Sequence, residues 1–243
     1  MKSYKEVVEE RYDGREKDVH IYNNRYSLIN PVGFYSNEKI RKAFYKIFNY
    51  FRRNGIDITK LKILDVGCGA GGHSRFMAEL INDPSNIHGI DLSRLRIESA
   101  QKMNPAIIYK NEDLLNLNSS NEYDVITALV VFLHFASADE VTAALRRIHS
   151  ALKPGGFFVW HEIYARDHFK TKEIESEGYA PAQMDRFCRE SGFVKTLSLP
   201  LFRKAGRYNS FFLYQYFPSW MVACLEWLLF FLPPGIIITV YKK

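Results

Sequence analysis

Only three of the 243 residues are cysteine. Cys68, Cys188 and Cys224 stand too far apart for a disulfide framework or a zinc site, which points to a reducing compartment, read here as cytoplasmic. No apolar run reaches the roughly 20 residues that a bilayer span requires. The longest such segment, Trp220 to Leu232, is shorter and contains Glu226, so it reads as a buried or substrate-facing helix rather than a membrane-associating one. The stretch Met1 to Asp18 is polar and lacks the apolar core of a secretory signal. No carboxylate or histidine cluster has metal-ligand spacing, so no metal is expected. The net charge is +6, but basic residues occur as short doublets such as Arg52-Arg53 and Arg146-Arg147. A dispersed charge of this kind argues for a solvated surface and against a nucleic-acid partner. Nothing in the sequence fixes an oligomeric state.

What the sequence does have is alternation. A helix is expected from Asn37 to Asn54, with Ile40, Phe44, Ile47, Phe48 and Phe51 on one face, Ser36 as its cap and Gly55 as its stop. Short apolar strands follow at Lys62–Val66, Asn86–Ile90, Ala106–Tyr109, Tyr123–Val131 and Phe157–Ile163. Between them lie helical segments at Gly72–Asn82, Ser93–Met103 and Ser137–Leu152. Further on, a helix is expected at Ala182–Ser191 and strands at Phe193–Leu199 and Ile236–Tyr241. Strand–helix alternation predicts an α/β fold with a doubly wound, mostly parallel sheet. Residues 1–60 read as an N-terminal arm and helix that caps or lids the domain, and residues 61–243 as the domain itself, with an aromatic insertion at about 201–234.

The strongest local signal is Gly67-Cys68-Gly69-Ala70-Gly71-Gly72, which leaves a strand and opens a helix. Asp91 ends the next strand, where a carboxylate can accept both hydroxyls of a ribose. Asp65, two residues before the first glycine, separates two classes of nucleoside ligand. Its charge would repel the pyrophosphate of a dinucleotide but suits a ligand bearing an ammonium and a sulfonium.

The run Ile63-Leu64-Asp65-Val66-Gly67-Cys68-Gly69-Ala70-Gly71 resembles the first motif of class I S-adenosylmethionine-dependent methyltransferases. Five further stretches are similar to that family's motifs, in order: Gly89-Ile90-Asp91-Leu92-Ser93, Glu112-Asp113-Leu114, Tyr123-Asp124-Val125-Ile126, Leu152-Lys153-Pro154-Gly155-Gly156 and Glu190-Ser191-Gly192-Phe193. The resemblance covers about Leu61 to Leu199. It implies a seven-stranded sheet with an antiparallel last strand at Ile236–Tyr241, and an antiparallel sixth strand before it. It also implies S-adenosyl-L-methionine as the methyl donor. By the same resemblance Asp65, Gly67 and Gly69 hold the methionine end, Gly71 belongs to the same cofactor-binding loop, Asp91 holds the ribose, and Leu92, Asp113 and Leu114 meet the adenine.

A hydroxyl acceptor needs a general base near the carboxyl ends of the fourth and fifth strands. The candidates are His134, His161 and Glu162, and since His161 and Glu162 alternate on one strand, at most one of those two faces the site. Tyr22, Arg25 and Tyr26 are candidates for a lid, and Tyr214 and Trp220 for an acceptor wall. The chain has no Asn-Pro-Pro-Tyr run after the fourth strand and no Pro-Cys pair, which turns the reading toward a small-molecule acceptor. By resemblance the acceptor is a hydroxyl of a sugar, glycan precursor or natural product. The alternatives are an RNA or protein methyltransferase, a nicotinamide-dependent oxidoreductase, and a non-catalytic donor-binding protein.

Overall fold

Five short apolar segments of the first two thirds of the chain become parallel strands: β1 (Ile63–Val66), β2 (Ile87–Asp91), β3 (Ile108–Asn111), β4 (Tyr123–Leu129) and β5 (Leu152–His161). The computed structural model describes residues 4–17, 31–135, 137–162, 169–171, 174–176, 179–205, 208–209, 216–228 and 234–243. Two short strands, β6 (Phe169–Thr171) and β7 (Ile174–Ser176), pair only with each other. The remaining strands are β8 (Val194–Ala205), β9 (Tyr208–Asn209) and β10 (Pro234–Lys242). The main sheet runs β3-β2-β1-β4-β5-β10-β8, the seven strands expected, with the two-residue β9 added at the β8 edge. β10 is antiparallel to both β5 and β8. β8 therefore runs parallel to β5, so the expectation of an antiparallel sixth strand is corrected, and of the seven strands only β10 is reversed.

Among the described residues seven helices accompany the sheet: α1 (Tyr4–Lys17), α2 (Pro31–Arg53), α3 (Gly72–Ile81), α4 (Arg94–Met103), α5 (Ala138–Ala151), α6 (Pro181–Glu190) and α7 (Ser219–Leu228). Strand side chains alternate between two cores. Ile63, Val125 and Val159 join α2, α3 and α4 on one face, while Leu64, Ile126, Phe158 and Trp160 join α5 and α6 on the other. The expected apolar stripe of α2 is wholly interior, with Phe44, Ile47 and Phe51 sealed from solvent.

Several boundaries differ from the sequence reading, β5 for example starting at Leu152 and not at Phe157, and three of them have plain local reasons. α2 begins at Pro31 and not at Asn37, because a proline in the first turn needs no amide partner and its fixed φ suits a helix start. Ser36 is thus inside the helix and is not its cap. β4 stops at Leu129 because Val130 turns to φ +60°. β8 continues six residues past Leu199, burying Leu201 and Phe202. The expectation of a buried helix from Trp220 is also corrected, as far as Leu228. α7 reaches the interior through Val222, whereas Trp220 and Trp227 are 67% and 75% exposed. An almost uniformly apolar helix that buries only Val222 among its apolar side chains leaves most of its apolar surface in water. Leu229 to Leu232 lie outside the described residues.

The ring of Phe51 packs at 4.4 Å, centroid to centroid, on Phe157 of β5 and so ties α2 to the sheet. Phe51→Ala should lower unfolding stability by about 3–5 kcal/mol in urea titration. A loss below 1 kcal/mol would mean that α2 is not integral to the core.

Candidate functional site

The sheet order reverses at β1, which has β2 on one side and β4 on the other, and the carboxyl ends of these strands form the crevice where α/β sheets bind ligands. The glycine loop rims this crevice. Gly67, Gly69 and Gly71 take φ of +67°, +54° and +78°, a region that only glycine enters cheaply. Gly67 is doubly required, since a Cβ there would lie 2.6 Å from Cγ2 of Val131. The amides of Gly67 and Cys68 donate to the Ile90 carbonyl at 2.8 and 3.0 Å, pinning the loop to β2. The loop ends at the N-terminus of α3, where no side chain caps the first turn, so its amides face the crevice end of the helix.

Asp65 sits beneath this loop and is 2% exposed. Its two oxygens accept from the Ser74 hydroxyl on α3 at 2.6 Å and the Thr127 hydroxyl on β4 at 2.8 Å. Burial nevertheless pushes its carboxyl up to about 6, the hydroxyl donors offsetting only part of the desolvation. Asp91 accepts the Gly69 amide at 2.8 Å on one oxygen and the Ser93 amide at 2.9 Å on the other, which leaves each oxygen a lone pair. Burial raises its carboxyl above the ordinary range, partly countered by those amides and by the Arg96 guanidinium. Asn111 donates to the carbonyls of both Asp91 and Leu92 and so locks β3 to the end of β2. Asp113 accepts the Leu115 amide at 3.0 Å, which caps the short turn Leu114–Asn116, and pairs with Lys5. The side chain of Leu114 is buried in the core beside α5.

The three base candidates fall into two groups. His134 ends the short turn Phe132–His134 after β4, and its Nε2 lies 2.7 Å from the Tyr12 hydroxyl, the two rings edge to face. Glu162 is fully buried and accepts the Leu133 amide at 3.0 Å, so it anchors the turn that carries His134. His161 points to the opposite face, where its Nδ1 donates to the Ile237 carbonyl at 3.0 Å. Burial pushes the His161 imidazole down to about 4, and His73 is held equally low, chiefly by burial and also by the Arg41 guanidinium. His161 is therefore neutral at pH 7. The structure brings His134 and Glu162 together and sets His161 apart, in keeping with the alternation of the strand.

Tyr22, Arg25, Tyr26 and Tyr214 lie outside the described residues. Trp220 lines a separate cavity of about 390 Å³ against α2 and β8, to which no residue of the glycine loop contributes. What the sequence reading missed is α1. Besides pairing Lys5 with Asp113, this helix accepts the Ser93 hydroxyl on Asp13 and lays the Tyr12 ring 4.8 Å from the Arg96 guanidinium. It spans the crevice from the Asp113 side to His134. Its partners lie 80 to 122 residues away in the sequence and its apolar pattern is weak, so no local signal marks it. Ser74 and Thr127 did leave a signal. Each is a hydroxyl on an otherwise apolar buried face, which implies a buried polar partner.

Comparison with known proteins bears on the same residues. A family described as a methyltransferase domain matches residues 63–156, the span holding the glycine loop, Asp65, Asp91 and Asp113. The sterol 24-C-methyltransferase of Yarrowia lipolytica is 27% identical over 150 residues, 58% of this chain and 38% of that protein. The ubiquinone biosynthesis O-methyltransferase of Rickettsia typhi is 33% identical over 107 residues, 42% of this chain and 41% of that protein. The chain thus spans about two fifths of the length of these curated relatives. The crystal structure of magnesium protoporphyrin IX methyltransferase from Synechocystis PCC 6803 with bound SAM superposes with a TM-score of 0.66 at 15% identity, covering 100% of this chain and 98% of that one, a likeness of fold.

Two outcomes follow from the site. Asp65 binds its proton more tightly folded than unfolded (about 6 against 3.8), so the native state holds the extra proton between these values, and stability falls as pH rises from about 4 to 6. Asp65→Asn should remove that fall in a pH series of thermal melts, and an unchanged slope would show that another group is responsible. Asp91→Ala should weaken binding of S-adenosylmethionine by about 100-fold or more in calorimetry, while the protein still unfolds cooperatively with a loss of about 1–3 kcal/mol from the two orphaned amides. Undiminished affinity would remove Asp91 from the donor site.

Proposed function

We propose, for a chain whose residues 63–156 belong to the class I S-adenosylmethionine-dependent methyltransferases, that it transfers a methyl group from S-adenosylmethionine to a small organic acceptor. The observation that carries this reading is the pair of carboxylates at the glycine loop, Asp65 beneath it and Asp91 at its side, with the lone pairs of Asp91 still available. A buried carboxylate under the loop opposes a pyrophosphate and favours a donor bearing an ammonium. The residues fit such a ligand. The loop glycines leave its rim without side chains, and Arg96, a cation beside the loop, is engaged by the Tyr12 ring. When bound, S-adenosylmethionine supplies an activated methyl group on a sulfonium.

The chain's own residues then have three tasks. Asp91 orients the donor through its ribose hydroxyls. Asp113, held at the end of β3 by its cap on Leu115, meets the adenine edge. His134 receives the acceptor's proton, and Glu162 positions it by fixing the Leu133 amide one residue away. Val130, a β-branched residue at φ +60°, carries backbone strain where β4 turns toward His134. Reaction by displacement at the methyl carbon needs alignment more than covalent help, so a rigid turn at this point is the main contribution of the protein. The two curated relatives described above are named for a sterol and for ubiquinone biosynthesis, which supports a small organic acceptor, while another relative is a 23S rRNA methyltransferase. The sugar or natural-product hydroxyl suggested by the sequence is one member of that class.

Calorimetry with S-adenosylmethionine, S-adenosylhomocysteine and a nicotinamide dinucleotide tests the donor. Binding of the first two alone is the expected result, and binding of the dinucleotide alone overturns the reading. With radiolabelled donor and an acceptor found by screening small hydroxyl compounds, His134→Ala should reduce turnover by about 100-fold or more and change donor affinity little. Full turnover in the variant would exclude His134 as the base.

A further inference from the structure

The surface around α7 has no task in the donor crevice. Tyr216, Phe217, Trp220, Leu225, Trp227 and Leu228 are each 38% to 75% exposed and form a run of apolar and aromatic side chains in water. Trp220 and Trp227, two helical turns apart, share one face. Single exposed apolar residues are ordinary on a protein surface, but six within thirteen positions make a patch of the kind that marks a docking site.

Its neighbours identify the occupant. α2 presents Lys39, Lys42 and Lys46 at helical spacing along the cavity that α7 closes with Trp220 and Ala223. Lys39 is paired with Glu226 of α7, so the one acidic group of that helix is neutralised, and Lys42 is paired with Glu38. Lys46 is exposed and has no ion-pair partner among the described residues. Protein–protein interfaces are depleted in lysine, whereas a lipid headgroup region combines aromatic side chains with lysines. The helix is also too short to enter as a span. Its ten residues extend about 15 Å, and among the described residues no helix is long and apolar enough to cross a membrane. A helix of this kind lies in the plane of the interface.

We propose that α7, with the lysine row of α2, is a surface that docks on an anionic lipid bilayer. The position suits it. β10 starts at Pro234 opposite Arg203 of β8 and reaches His161, the carboxyl end of β5, only at Ile238. The docking surface and the donor crevice therefore lie at the same end of the sheet. The inference is read out by binding alone and does not depend on methyl transfer.

The full chain is mixed with vesicles of phosphatidylcholine, or of phosphatidylcholine with phosphatidylglycerol, and floated through a density gradient. We expect the chain to float with the mixed vesicles, with tryptophan fluorescence shifting to the blue, and to float much less with phosphatidylcholine alone. Trp227→Glu, at an exposed position where circular dichroism should remain unchanged, should abolish flotation. The pair Lys42→Glu and Lys46→Glu should reduce partitioning by about 30-fold or more, at roughly fivefold per lysine lost. No flotation with either vesicle would overturn the proposal. So would a dimer in light scattering that Trp227→Glu converts to monomer, because the patch would then be a contact between two copies of the chain.

Discussion

The crevice depends on a carboxylate that is almost never in water. Asp65 joins β1, α3 and β4 through two hydroxyl donors, and these are the elements that meet where the sheet order reverses. Leaving that carboxylate without its partners would cost several kcal/mol, so the polar contacts of Ser74 and Thr127 are conditions of the fold as well as of the site. The glycine loop lies directly above. Its positive φ angles are cheap only because glycine takes them, and its path is fixed from the other side by the Ile90 carbonyl and by Asp91. Charge, loop and strand end form one unit, and none of the three is arranged independently of the others.

A second constraint governs the acceptor side. The turn after β4 must hold His134 while Val130 leaves the strand in a conformation unfavourable to a β-branched side chain. Glu162 at the end of β5 and Tyr12 of α1 grip that turn from two directions. The same helix α1 pairs with Asp113 and Ser93, so donor-side and acceptor-side residues are bridged by a single element. A movement of α1 would therefore be felt at both ends of the crevice.

How legible this was in the sequence varies with the range of the interaction. The parallel strands and the helices between them follow from local periodicity and were visible, as were the glycine loop and Asp91, because their spacing is fixed by a single turn. Helix starts were less legible. Pro31 and Gly33 read as loop punctuation, yet a proline in the first turn is compatible with a helix. The direction of β8 was misjudged because strand direction depends on which neighbour it pairs with, and a short strand encodes no such information. The reach of α1 was invisible for the same reason, since a weakly amphipathic helix says nothing about partners a hundred residues away. The exposure of α7 was misread because apolar composition alone does not distinguish a helix enclosed by core from one that touches it through Val222.

The cysteine distribution, unremarkable as chemistry, has a practical consequence. Cys68 is enclosed in the glycine loop and Cys188 lies on the buried face of α6, while Cys224 stands exposed on α7. Burial drives both interior thiols well above their ordinary range, so neither supplies a thiolate at neutral pH. The native chain thus offers one labelling handle, placed on the most exposed apolar helix among the described residues. An environment-sensitive fluorophore attached there, with no engineered cysteine and no residue removed, would turn the protein into a sensor of whatever α7 meets.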